Sequence, residues 1–127
     1  MRNVRHVVNK SMAPHEWRGI TIRDLTPGDA GWQGSLVEVD VPDGVQHPRA
    51  RSTKCETFYY GVTGSVDFEV EGEALTLNPG DLLVIEPGEW YSYRTAAGPA
   101  RLLSFNVPPY DAAATEISEE VPAARSI

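Results

Sequence analysis

Residues 78–93 read NPGDLLVIEPGEWYSY, and the punctuation of this stretch decides the fold class. NPG at 78–80 and EPG at 86–88 are turn signals, because proline presets φ and glycine accepts the left-handed region that tight turns use. Between them LLVI, residues 82–85, is an apolar run too short for a helix, and it reads as a fully buried strand. After the second turn, Tyr91 and Tyr93 share one face of an extended segment and Trp90 takes the other. Upstream, Val66, Phe68 and Val70 alternate with Asp67 and Glu69, Leu75 and Leu77 flank Thr76, and Val37, Val39 and Val41 alternate with Glu38 and Asp40. This period of two marks half-buried strands. Downstream, RLLSFNV at 101–107 reads as a last strand stopped by Pro108 and Pro109. Glycines 64, 72, 80 and 88 recur every eight residues. Short strands with turns at this spacing argue an all-β sandwich or barrel.

The chain has 127 residues, which suits one domain. Three parts are expected: residues 1–35, with a weaker strand signal at RGITIRDL, as an N-terminal arm open to exchange between subunits; residues 36–110 as the barrel; and residues 111–127 as an acidic tail. For AAATEISEE in that tail the readings are a short helix or a disordered end. Net charge is −7, and no basic face for nucleic acid is apparent. No apolar run is long enough to span a membrane, and the N-terminus lacks the apolar core of a secretory signal, so a cytoplasmic location is expected. The single cysteine, Cys55, cannot form an intramolecular disulfide. It lacks an adjacent base and reads as a small packed side chain.

The segment 78–93, preceded by TFYYGVTGSVDFEVEGEALTL at 57–77 and followed by LSFNVPPYD at 103–111, resembles the cupin family over roughly residues 40–110. The resemblance implies a jelly-roll β-barrel of a single domain, commonly a homodimer. Metal-binding cupins carry two histidines spaced H-x-H, a following glutamate, and a histidine after the glycine of the second motif. Here Tyr91 holds that last position, anchored by Pro79, Gly80, Asp81, Pro87 and Gly88. Counting back from Gly64 puts Ala50, Ser52 and Thr57 at the other three. A slip of one residue, as a β-bulge allows, puts Arg49, Arg51 and Glu56 there instead. The two registers predict opposite linings, with Thr57, Tyr59 and Gly61 inward in one and Glu56, Phe58 and Tyr60 inward in the other. Neither restores a metal triad, since arginine has no free lone pair and phenol ionises too far above neutral pH to be a good ligand. No metal and no other cofactor is therefore expected.

The candidate catalytic residues are Tyr91, as hydrogen-bond donor or general acid, and Glu56, as a base weakened by neighbouring arginines. The candidate ligand-binding residues are Arg49, Arg51, Ser52, Thr57, Tyr59 and Tyr93. An inward arginine pair would suit a carboxylate; facing outward, Arg49, Arg51 and Glu56 would be a surface ion-pair cluster. Ser104 and Asn106 give the last strand one polar face, lining a pocket or meeting water. His6, His15 and His47 have no ligand-spaced partners and read as surface residues. The leading expectation is a metal-independent isomerase, cyclase or lyase acting by proton transfer on a small carbonyl- or carboxylate-bearing metabolite held in the barrel. The alternatives are a non-catalytic small-ligand sensor or carrier, and a metal-dependent enzyme with atypical ligands.

Overall fold

The structure is a computed structural model, and it describes residues 4–28 and 30–119. Residues 1–3, 29 and 120–127, which include the ends of the expected arm and tail, lie outside the described residues. Among the described residues eleven strands run in chain order: β1 His15–Trp17, β2 Ile20–Asp24, β3 Ser35–Val41, β4 Gln46–Ser52, β5 Glu56–Thr63, β6 Val66–Val70, β7 Glu73–Leu77, β8 Leu82–Ile85, β9 Tyr91–Thr95, β10 Ala100–Val107 and β11 Thr115–Ser118. They form two sheets, one of order β1-β2-β3-β10-β5-β8 and one of order β11-β4-β9-β6-β7, and every pairing is antiparallel. This is the all-β architecture expected from the spacing of turns, and the jelly roll that the family resemblance implies. Among the described residues no helix is long and apolar enough to cross a membrane.

Alternation along each strand sends one set of side chains between the sheets. Val39, Val41, Val66, Phe68, Leu77, Ile85 and Leu102 are buried there with Tyr59 and Tyr93. Gly64 shows why the turns are glycine: its φ is +71°, and a Cβ would collide with the Pro99 carbonyl. The N-terminal strands β1 and β2 extend the first sheet through β3 of the same chain.

Two segments depart from their expected form. LLVI is not fully buried: Leu83 and Ile85 face the interior while Leu82 and Val84 are exposed. As β8 it is an edge strand covered on one face only, a state that periodicity alone does not separate from full burial. TEIS in the tail is a strand, not a helix or a disordered end. After a 3-10 turn at Ala112–Ala114, capped by Asp111, it pairs with the edge of β4. Ion pairs from Lys54 to Asp111 and from Arg51 to Glu116 fasten it there.

Candidate active site

One cavity of about 490 Å³ opens between the sheets, a size suited to a small organic ligand. Its floor comes from four adjacent strands. In the first sheet, β5 and β10 pair Thr57 with Asn106 and Tyr59 with Ser104. In the second, β4 and β9 pair Ala50 with Tyr91 and His47 with Tyr93. All eight of these side chains line the cavity, as do Ser52, Trp17, Trp32 and Tyr110. The register with Thr57 and Tyr59 inward is thus the one adopted.

His47, expected on the surface because it has no ligand-spaced partner, is the residue whose place the structure corrects. It is 9% exposed rather than on the surface. Between Tyr93 and Tyr91 β9 advances two residues, but between their partners His47 and Ala50 β4 advances three. The extra residue is a β-bulge at Pro48–Arg49, and it turns His47 to the same side as Ala50 and Ser52. The bulge differs from the one-residue slip that would bring the arginines inward, because Ala50 and Ser52 keep their inward places. The available signal was Pro48 itself, since proline within a strand marks a bulge or an edge.

The histidine's protonation follows from its contacts. Its Nδ1 lies 2.6 Å from the Pro48 carbonyl oxygen. A carbonyl only accepts, so the proton resides on Nδ1 and Nε2 keeps its lone pair. The ring stacks on Tyr93 at 4.7 Å and on Tyr91 at 5.4 Å, and Trp17 packs against it tilted, at 5.2 Å. Burial among these rings, opposed by the Pro48 hydrogen bond and aided by the Arg18 charge, lowers its pKa to about 4. His47 is therefore neutral at neutral pH.

The tyrosines take the complementary role. Tyr59 and Tyr91 hydroxyls are 3.1 Å apart and bridge the two sheets. Burial raises the pKa of both well above the phenol range, and of Tyr93 as well. They stay protonated and can only donate or relay protons. Thr57 donates to Asn106 Oδ1 at 2.6 Å, tying β5 to β10 beneath them.

The arginines and glutamate stand elsewhere. The Arg49 and Arg51 guanidiniums stack on the Trp90 ring at 4.8 and 4.6 Å. Arg51 reaches the cavity rim but gives its Nε to Glu116 at 2.5 Å. Arg49 does not line the cavity. Glu56 lies outside it too, close enough to Glu86 to share a hydrogen bond that raises the Glu86 pKa. The inward carboxylate-binding arginine pair is therefore not formed, because beyond the bulge Ala50 and Ser52 face the cavity and Arg49 and Arg51 turn outward. Cys55 is buried as expected, with its thiol 3.2 Å from the Pro108 carbonyl. Ser104 and Asn106 resolve as pocket residues. His15 is exposed but borders the cavity mouth.

The residues at the expected metal positions are Ala50, Ser52, Thr57 and Tyr91. These include no imidazole or carboxylate, and among the described residues no group of histidine, cysteine, aspartate and glutamate side chains could hold a metal ion. His47 has one ring nitrogen committed to Pro48. The donor set does not fit a resident metal.

Comparison with solved structures finds the same architecture. A histidine-to-glutamine variant of Streptomyces PAC13 with uridine superposes with a TM-score of 0.79 at 16% identity, covering 97% of this chain and 98% of that one; a companion structure describes Pac13 as a nucleoside dehydratase. KdgF from Halomonas sp. gives 0.76 at 18% identity over 86% of this chain and 97% of that one. The polyketide cyclase RemF from Streptomyces resistomycificus gives 0.72 at 20% identity over 83% and 80%. A sequence comparison with curated proteins finds no match. The cupin domain profile matches residues 37–106, from the inner face of β3 to the polar end of β10. That span contains every strand of the cavity floor, and the chain belongs to the cupin family, with the usual metal-binding histidines not retained.

Proposed function

We propose that this protein is a metal-independent lyase-type enzyme that eliminates water from a small β-hydroxy carbonyl compound. One observation carries the reading: a buried neutral imidazole shares a cavity floor with a pair of phenols that burial keeps protonated. His47 Nε2 removes the proton next to the carbonyl, and the C–H electrons pass into an enolate. Tyr91, backed by the Tyr59 hydroxyl, donates a proton to the departing β-hydroxyl as its C–O bond breaks. The products are an alkene conjugated to the carbonyl, and water; the proton on His47 then returns to the phenol pair. General acid and base of this kind contribute on the order of 10² to 10⁴ in rate.

The substrate is uncharged. Among the described residues the only arginine on the cavity wall is Arg51, already paired with Glu116. A buried carboxylate or phosphate would be left without a partner, at a cost of several kcal/mol. Trp17, Trp32 and Tyr110 at the walls suit a planar ring. The uridine bound in structures of a dehydratase with the same fold supports both points, being an uncharged molecule with a planar ring. The functional unit we propose is a homodimer, because one sheet leaves half of an apolar face open.

The test is exchange of the proton next to the carbonyl into D2O, followed by NMR on neutral ring-bearing β-hydroxy aldehydes and ketones, with uridine as a binding probe. His47-dependent exchange with loss of the β-hydroxyl is expected. Binding of uridine with no exchange on any of these compounds would leave a binding module and overturn the enzyme.

A further inference from the structure

The elimination proposed above leaves its enolate in need of a partner. Negative charge collects on the carbonyl oxygen as the neighbouring C–H proton departs. The arginine on the cavity wall, Arg51, is already paired with Glu116. A fixed hydrogen-bond donor aimed at the oxygen would stabilise that charge. The buried polar side chains of the wall largely satisfy one another. The hydroxyls of Tyr59, Tyr91, Tyr93 and Ser104 form one connected set. His47 Nδ1 is held by the Pro48 carbonyl, and the Thr57 hydroxyl by Asn106. Outside the hydroxyl set two buried groups remain unused among the described residues. One is an acceptor, His47 Nε2. The other is a donor, the Nδ2 group of Asn106.

Asn106 is 9% exposed and lines the cavity from β10. Its orientation follows from Thr57, whose hydroxyl has no other acceptor among the described residues and donates to Oδ1 at 2.6 Å. That contact uses the amide's oxygen and leaves both Nδ2 protons without a partner among the described residues. A buried amide in this state is unfavourable until something accepts from it. Thr57 and Asn106 are also direct partners in the β5–β10 ladder, so the amide is held between two paired strands. Its position suits the substrate. Ser104, which bonds to the Tyr59 hydroxyl, lies two residues away on the same face of β10, about 7 Å along the strand. The Tyr91 hydroxyl is 3.1 Å from that of Tyr59. A β-hydroxy carbonyl compound carries its two oxygens on alternate carbons. One molecule can therefore offer its hydroxyl to the phenols and its carbonyl to the next layer of β10.

Resting on that elimination, we propose that Asn106 is a further catalytic residue, whose Nδ2–H donates to the substrate's carbonyl oxygen and holds the charge of the enolate. The C–H bond breaks, and its proton goes to His47 Nε2. Its electrons form the enolate double bond while the carbonyl π pair moves onto oxygen. Asn106 keeps its proton and supplies the hydrogen bond alone. As the pair returns, the β C–O bond breaks and Tyr91 protonates the departing hydroxyl. A neutral donor suits this site, because a buried cation would be left uncompensated between turnovers. Thr57 is a positioning residue. By occupying Oδ1 it keeps that oxygen, which would repel the enolate, turned away.

The test is D2O exchange and turnover on the same neutral ring-bearing β-hydroxy aldehydes and ketones. Asn106→Leu, close to asparagine in shape, is expected to lower kcat by about a hundredfold and to leave KM within about threefold. Thr57→Val is expected to lower kcat by about tenfold, and Thr57→Ser to restore it to within about threefold of wild type. Circular dichroism checks folding. If Asn106→Leu does not fold, Thr57→Val combined with Asn106→Leu removes both partners of the hydrogen bond and is expected to show the same hundredfold loss. His47-dependent exchange that stays within about threefold in the Asn106 variants would overturn the role of Asn106 and leave the elimination standing. A raised KM with unchanged kcat would overturn the enolate contact, since ground state and transition state would then be bound alike. Wild-type rates in Thr57→Val would overturn the positioning role. Absence of exchange by the wild type on every compound would overturn the elimination and the role of Asn106 with it.

Discussion

The inner and outer faces of β4 come from the same seven residues, yet they meet different environments. Inward, His47, Ala50 and Ser52 face the cavity, where burial strips the imidazole of its charge and aromatic rings pack against it. Outward, Arg49 and Arg51 keep their charges in solvent, stacked on Trp90. The outer face holds more formal charge and more hydrogen-bond donors, but solvent screens them and they have little to act on. The inner face holds one titratable nitrogen, and its desolvation gives that atom a defined protonation state. Protonation state here follows burial, and one inserted residue in β4 turns His47 to the buried side.

Substitutions on the two faces should therefore differ most where they touch His47. His47→Gln preserves the ring's size approximately but removes the basic nitrogen, and is expected to slow proton exchange in D2O by about a thousandfold with the fold intact by circular dichroism. The acid stability of the same variant sharpens the point. His47 titrates near 6.5 in an unfolded chain and near 4 in the folded one. Between these values the unfolded state binds the extra proton. The stability His47 permits is whole above pH 6.5, falls as pH drops from 6.5 to 4, and is lost below. The difference is about 3 kcal/mol, and urea denaturation across that range should show this slope in the wild type and its loss in His47→Gln. Tyr91→Phe removes the proposed acid but leaves the Tyr59 hydroxyl in place, and should cost at least about tenfold in turnover of the same substrate. Smallest of all, Arg49→Gln and Arg51→Gln should each cost less than about 1 kcal/mol of stability and leave exchange within about threefold. A large loss of exchange in either arginine variant would return the chemistry to the outer face.

The strands and their turns were legible because Pro–Gly spacing and apolar alternation act locally, as in NPGDLLVIEPG. The position of Tyr91 was legible for the same reason, since two Pro–Gly turns fix its place after β8. Thr57, Tyr59, Ser52 and Tyr93 were named as candidates, but both registers of β4 and β5 remained open. Local signals do not tell which side of a strand faces the second sheet. His47 was not legible, because it lies beyond a bulge that reverses parity between it and Ala50. The exposure of Leu82 and Val84 was hidden as well: strand order in the sheet, not the sequence of β8, makes it an edge. The strand at Thr115–Ser118 depends on the free edge of β4, which only the assembled sheet provides.

The central claim is that His47 is a neutral, cavity-facing base with its proton on Nδ1. Two-bond ¹H–¹⁵N correlation of the imidazole, followed from pH 8 to pH 3.5, reads both properties without any substrate. The Nδ1–H tautomer is expected throughout the neutral range, with a midpoint near pH 4. An Nε2–H tautomer, or a midpoint near the ordinary 6.5, would contradict it.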